Sequence, residues 1–179
     1  MAEIICAGFG GQGILTAGMM LIDAGMEQGK NVLFYPSYGS EMRGGTANCS
    51  VKISDKRIAS PVCKNLDILF TLNTPAIDKF EDRIKPGGLL LVNSSIVPED
   101  RTYRDDIKVV KVPATDIAQE VQNPRGVNIV MLGAMAANSD LFTPEYLETA
   151  IDHFFAKKGK NNPKNALCFR KGVEAGTAN

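Results

Sequence analysis

The chain opens on a short apolar run, Ile4-Ile5-Cys6-Ala7, that passes directly into Gly8-Phe9-Gly10-Gly11-Gln12-Gly13-Ile14. No other stretch restricts the fold as strongly. Residues 3–7 read as a strand on which Ile4–Ala7 place apolar side chains on both faces, which predicts a strand buried in a sheet covered on two sides. From Gln12 to about Gln28, the residues Ile14, Leu15, Met19, Leu21, Ile22 and Met26 fall near a helical period, and Gly29 is placed to end that helix.

Gly8, Gly10 and Gly13 satisfy the spacing G-x-G-x-x-G between strand and helix. Such a turn uses positive φ, lets a phosphate approach the backbone, and aims free amide N–H groups and the helix dipole at it. A dinucleotide site also requires an acidic residue about 20 residues further on, at the end of the second strand, to hold the ribose hydroxyls. Here that strand ends Leu33-Phe34-Tyr35-Pro36. Asp23 and Glu27 fall inside the preceding helix, and Glu41 comes later in the loop. The spacing alone therefore does not establish an NAD site, and tight packing of strand on helix is an alternative use of the same glycines.

The rest of the chain alternates strand-length apolar runs with helical patterns. Residues 31–36 read as a second strand stopped by Pro36, and residues 37–45 as a loop. Residues 46–54 alternate like a strand with one exposed face, and with RIASP after Asp55-Lys56 they predict a hairpin over 46–60 at the sheet edge. Residues 66–73 and 87–95 are two buried strands joined by a helix opening at Thr74-Pro75. Residues 107–113 alternate, and helical spacing covers 115–121, 128–137 and 144–155. The expected fold is a three-layer α/β/α Rossmann-like domain with a mixed, mostly parallel sheet, ligands being favoured at the carboxyl ends of the strands. Residues 1–179 read as a single domain, with about 157–179 as a C-terminal tail and short helix.

Composition removes several functions. Twenty basic and twenty acidic residues leave no global field to recruit nucleic acid or an anionic membrane. The N-terminus lacks a charged segment followed by a long apolar one, and no run reaches about 18 apolar residues, so a cytoplasmic protein is expected. Cys6, Cys49, Cys63 and Cys168 are far apart without any CxxC pair, a pattern of reduced, buried thiols and not of a zinc or iron–sulfur site supplied by this chain. His153, the single histidine, lies on a predicted helix and is assigned to packing or capping. Asn73 is suited to cap the helix that follows it, and Asn93, Ser94 and Ser95 occupy the equivalent position on the next strand.

A second constellation is YPSYGSEMRGG, residues 35–45, delivered by the second strand to the same rim as the glycine turn. Arg43 can grip a phosphate or a partner carboxylate, since its planar fork suits both. The alternative is a solvated loop with an incidental Glu41–Arg43 pair.

Taken in order, GFGGQGI, YPSYGSEMRGG, VKIS, IASP and NTPAIDKFEDRIKPGGLLLVNSS resemble the gamma subunit of the 2-oxoacid:ferredoxin oxidoreductases, from residue 3 to about residue 155. The resemblance implies an accessory subunit of a complex that decarboxylates a 2-oxoacid oxidatively to acyl-coenzyme A and reduces ferredoxin. It implies thiamine diphosphate with Mg on alpha and beta subunits and iron–sulfur clusters on a delta-type subunit, with ferredoxin met only indirectly. This chain by itself is then expected to hold no cofactor, no metal and no catalytic residue, and to pack near the coenzyme A end of the site. On that view the turn Gly8–Gly13, through the backbone N–H groups of Gly10, Gly11 and Gln12 and with Arg43, forms or borders a phosphate site for coenzyme A. Docking of both loops on the catalytic subunits stays open beside it, as do a free-standing enzyme using NAD or S-adenosylmethionine and a ligand-free structural adaptor.

Overall fold

The computed structural model describes residues 1–38 and 46–178. Strand β1 (Ala2–Phe9) leads through the glycine turn into helix α1 (Ile14–Glu27), followed by β2 (Asn31–Tyr38) and β3 (Thr46–Ser54). Strand β4 (Leu66–Thr71), helix α2 (Thr74–Phe80), a 3-10 turn (Glu81–Arg83) and β5 (Ile84–Asn93) come next. Strand β6 (Lys108–Val112) is followed by α3 (Ala114–Glu120), a second 3-10 turn (Pro124–Gly126), α4 (Val127–Asn138), α5 (Pro144–Ala156) and α6 (Pro163–Thr177).

Local chemistry sets most of these boundaries. Helix α1 stops where Gly29 takes φ 71°, with Gly29 N–H donating to Met26 O at 2.9 Å and Lys30 N–H to Gly25 O at 3.0 Å. Helix α2 starts where the Asn73 side chain accepts from Ala76 N–H at 2.9 Å, with Pro75 in the first turn. Thr143 and Asn162 cap α5 and α6 in the same way.

The six strands lie in the order β2-β3-β1-β4-β5-β6. Strands β1, β4, β5 and β6 are mutually parallel, while β3 runs antiparallel to both of its neighbours. The sheet is thus mixed and mostly parallel. Two expectations about its edge are corrected. Pro36 does not stop β2, which continues to Tyr38. As the edge strand, β2 has neighbours on one side only and tolerates the missing donor. Nor do residues 46–60 form an edge hairpin: β3 pairs with β1 from Ala2↔Ile53 to Phe9↔Thr46 and with β2 from Asn31↔Ser54 to Tyr38↔Ala47. That register sets Val32 opposite Ile53 and Phe34 opposite Val51, aligning the apolar side chains of both strands on the face that α1 covers.

Alternation along β1 separates two cores, Ile4 and Cys6 facing one way and Ile5 and Ala7 the other. The first core lies against α1 and α3–α6. Its centre is α4, buried from Asn128 to Ala136 without a polar stripe. The second is thinner, closed by Ile77 and Phe80 of α2 and by Val97, Tyr103 and Ile107 after β5.

The C-terminal segment differs most from its reading as a tail and short helix. Helix α6 has 15 residues, and Cys168 and Phe169 on it are buried. It meets α4 backbone to backbone: a Cβ on Gly172 would stand 1.9 Å from Val130 O, and one on Gly133 would stand 2.1 Å from Phe169 O. Glycines that look like helix breakers in the sequence are what permit this approach. Among the described residues no helix is long and apolar enough to cross a membrane.

Candidate functional site

The glycines of the turn have separate tasks. Gly8 is buried at the end of β1, where a Cβ would lie 2.7 Å from Gln12 Oε1 and 3.0 Å from the Ile14 side chain. Gln12 folds back to close the turn. Its Oε1 accepts from Phe9 N–H at 2.6 Å, and its own N–H donates to Phe9 O at 3.3 Å. The Gln12 amide is therefore engaged inside the turn and does not face outward as expected. Gly10 and Gly11 are exposed at the tip, and Gly11 takes φ 91° with no atom of the described residues within 4 Å of an added Cβ. Gly13, at φ 76°, precedes the first residue of α1 and is pressed against Asn128, whose Nδ2 would lie 2.6 Å from a Cβ there.

Asn128 was not singled out in the sequence. It is 4% exposed and donates from Nδ2 to Gly13 O at 3.0 Å, tying the glycine turn to the start of α4. The signal for it was present: Asn128 is the one polar side chain in the helical run VNIVMLGAMAA.

Between the turn and the helices lies a cleft of about 610 Å³. Gly11, Gly13 and Thr16 form one side, with Arg125, Asn128 and Lys160 across from them. Residues at the amino ends of α1, α4 and α6 therefore converge on it, bringing the positive ends of three helix dipoles together, among the described residues, with two exposed cations and no carboxylate. Arg125 and Lys160 were likewise missed, because nothing local in the sequence sets them beside residues 8–13. A second cavity, about 440 Å³, opens at the amino ends of the parallel strands, where Asp55, Asp67 and Asp140 offset Lys30 and Lys108. The first is larger, cationic, and at the carboxyl edge where ligands of open α/β sheets bind.

Arg43 lies outside the described residues. The strand ends on either side of its segment are next to the turn, Thr46 pairing with Phe9 and Tyr38 with Ala47. Asn73 caps α2, as noted above, and Asn93 is spent on the next connection: its Nδ2 donates to Thr115 Oγ1 at 2.9 Å, and its Oδ1 accepts from Ser95 N–H at 3.3 Å. His153 sits on the α1–α5 seam, with Nδ1 3.2 Å from Glu27 Oε2, beside Lys157, which reaches Asp23 at 2.8 Å and Glu27 at 3.0 Å. Lys157 first, and then His153, hold the Glu27 carboxyl below its ordinary value.

All four cysteines are buried thiols. Cys6 stands opposite Cys49 across β1 and β3, and its hydrogen bond to Cys49, then burial, pushes its thiol well up. Burial also raises Cys63 and Cys168. Thiols so protonated and enclosed are poor nucleophiles and poor metal ligands. Among the described residues no group of three or more His, Cys, Asp or Glu side chains is arranged to hold a metal ion.

Fold and site together define an α/β domain with an anion-attracting cleft at the carboxyl edge of a mixed sheet. The chain belongs to the pyruvate ferredoxin/flavodoxin oxidoreductase family, which it matches over residues 3–175. It is 40% identical over 174 residues to the 2-oxoglutarate synthase subunit KorC of Methanocaldococcus jannaschii, covering 96% of this chain and 92% of that one. It is 37% identical over 169 residues to the ketoisovalerate oxidoreductase subunit VorA of Methanothermobacter thermautotrophicus, covering 94% of this chain and 35% of the relative. The chain thus spans about a third of the length of that curated relative. The solved gamma subunit of a keto/oxoacid ferredoxin oxidoreductase from Geobacter sulfurreducens superposes with a TM-score of 0.80 at 29% identity, each chain covered completely.

Proposed function

We propose that residues 1–179 act as one unit, an accessory gamma-type subunit of a multi-subunit 2-oxoacid:ferredoxin oxidoreductase, and that the unit forms the coenzyme A side of the site. The reaction of the whole complex is oxidative decarboxylation of a 2-oxoacid to the acyl-coenzyme A with reduction of ferredoxin. Thiamine diphosphate, Mg and the iron–sulfur clusters belong to alpha, beta and delta-type partners. The scattered, buried cysteines of this chain do not suit an iron–sulfur cluster.

The observation that carries the reading is the cleft beside the glycine turn. Coenzyme A bears phosphates, and the cleft offers Arg125 and Lys160 with three helix amino ends. The exposed tip at Gly10 and Gly11 lets a phosphate oxygen approach the backbone, and the segment bearing Arg43 joins the sheet at the same rim. A nicotinamide dinucleotide is poorly served, because β2 carries no carboxylate for the ribose.

The test is Arg125→Ala with Lys160→Ala in the assembled complex. A KM for coenzyme A raised by about tenfold, with the KM for the 2-oxoacid unchanged, is the expected result. A second reading, in which the turn serves assembly alone, is favoured by the way packing already accounts for Gly8 and Gly13. Loss of assembly with an unaltered KM in the residual complex would select it.

A further inference from the structure

Among the described residues, the half of the sheet made by β2 and β3 is covered by helix on one face only. Side chains alternate along both strands, and Val32, Phe34, Cys49, Val51 and Ile53 turn toward α1, whose Gly18 and Gly25 are so close that an added Cβ would lie 2.5 Å from Cys49 Sγ and 2.8 Å from Val32 Cγ1. The intervening residues, Tyr35 on β2 and Ser50 on β3 among them, therefore face the opposite side. There α2 packs chiefly on β1 and β4.

On that side is a pocket of about 330 Å³, floored by Tyr35 and Ser50 and walled by Val62, Lys79 and Arg83. Tyr35 is 56% and Val62 55% exposed. The charges are one-sided. Lys79 and Arg83 lie over the Phe80 ring, 5.3 and 5.2 Å from its centroid, and neither forms an ion pair among the described residues. The neighbouring carboxylates of Asp78 and Glu81 are drawn away to Arg101, at 2.6 and 3.0 Å. Among the described residues no carboxylate lines the pocket. Its rim includes Pro61 of the IASP segment, which the coenzyme A cleft does not use.

We infer that this face is an assembly surface and that its occupant is an acidic segment of another protein subunit, whose carboxylates meet Lys79 and Arg83 while its apolar side chains cover Tyr35 and Val62. Exposed tyrosine and arginine around an apolar centre are the residues that dominate protein interfaces. A second copy of this chain in a two-fold contact would set the same cations against each other, which disfavours it as occupant. The inference rests on the multi-subunit reading above and adds the face and the charge of the partner.

The experiment uses the chain co-expressed with the subunits of its complex. Amine-specific labelling of Lys79, read by mass spectrometry, is compared between the free chain and the complex, and Lys79→Glu/Arg83→Glu is titrated into the remaining subunits. The expected results are labelling of Lys79 suppressed by about tenfold on assembly and association weakened by about tenfold or more, with the Tm of the free variant unchanged. Full labelling of Lys79 in the complex, or unaltered association of the variant, overturns the surface alone. A wild-type chain that enters no complex overturns the functional reading together with the surface.

Discussion

Gly11 and Gly13 share a left-handed backbone but not their surroundings, and this separates the two uses of the turn. At Gly13 an alanine meets both the φ of 76° and the Asn128 amide, whereas at Gly11 it meets the φ of 91° and open space. Gly13→Ala is expected to lower unfolding stability by about 2–4 kcal/mol and Gly11→Ala by about 1–2 kcal/mol, as read by urea denaturation. Equal losses would remove Asn128 from the account. On the α1–α5 seam the sign of a pH effect can be worked out. The Glu27 carboxyl is held below its ordinary value of 4.5, so its contribution is fully present above that value and is lost as pH falls through the lowered one. The Tm of Glu27→Gln should lie below wild type at neutral pH and converge on it in acid. A gap that persists unchanged at pH 3 would show that the loss comes from packing. Residues of this kind divided cleanly in legibility: Asn73 is recognisable because its partner is three residues away, and Asn128 is not, because its partner lies 115 residues away.

Helix α6 shows how an element can be present in the sequence and still be misjudged. Asn162-Pro163 is a good start signal, but Gly172 and Gly176 interrupt the helical pattern and make the segment read as short. In the fold they are the contact with α4, where Gly172 leaves no room for even one methyl group beside Val130 O. Gly172→Ala should therefore destabilise by about 3 kcal/mol or more despite alanine's higher helix propensity, and a variant as stable as wild type in chemical denaturation would contradict the packing described. Strand β2 carries the same lesson, since Pro36 terminates a central strand but not an edge strand, and edge position is a property of the sheet.

At the scale of the molecule, the cationic cleft and the uncovered β2–β3 face lie on opposite faces of one sheet: the residues that line the cleft come from the α1–α4–α6 layer, and those of the pocket from the α2 side. On the proposed function, a domain so built touches a ligand with one face and a partner with the other. The chain by itself is accordingly expected to show no reduction of an electron acceptor when a 2-oxoacid and coenzyme A are supplied, and no thermal stabilisation by NAD. Turnover by the purified chain in a spectrophotometric acceptor assay would refute the accessory role.

Elements whose signals are local were legible from the residues alone: the buried β1, the turn at 8–13, the Gly29 stop, the Asn73 cap and the ordered motifs that carry the family resemblance. Backbone conformation and burial period act over a few residues, so sequence encodes them directly. The place of β3 between β1 and β2, the bond from Asn128 to Gly13, the gathering of Arg125 and Lys160 beside the turn, and the glycine seam of α4 and α6 were decided only by the tertiary structure. Each depends on which surfaces exclude water and one another across long stretches of chain, and that choice is made by packing of the whole.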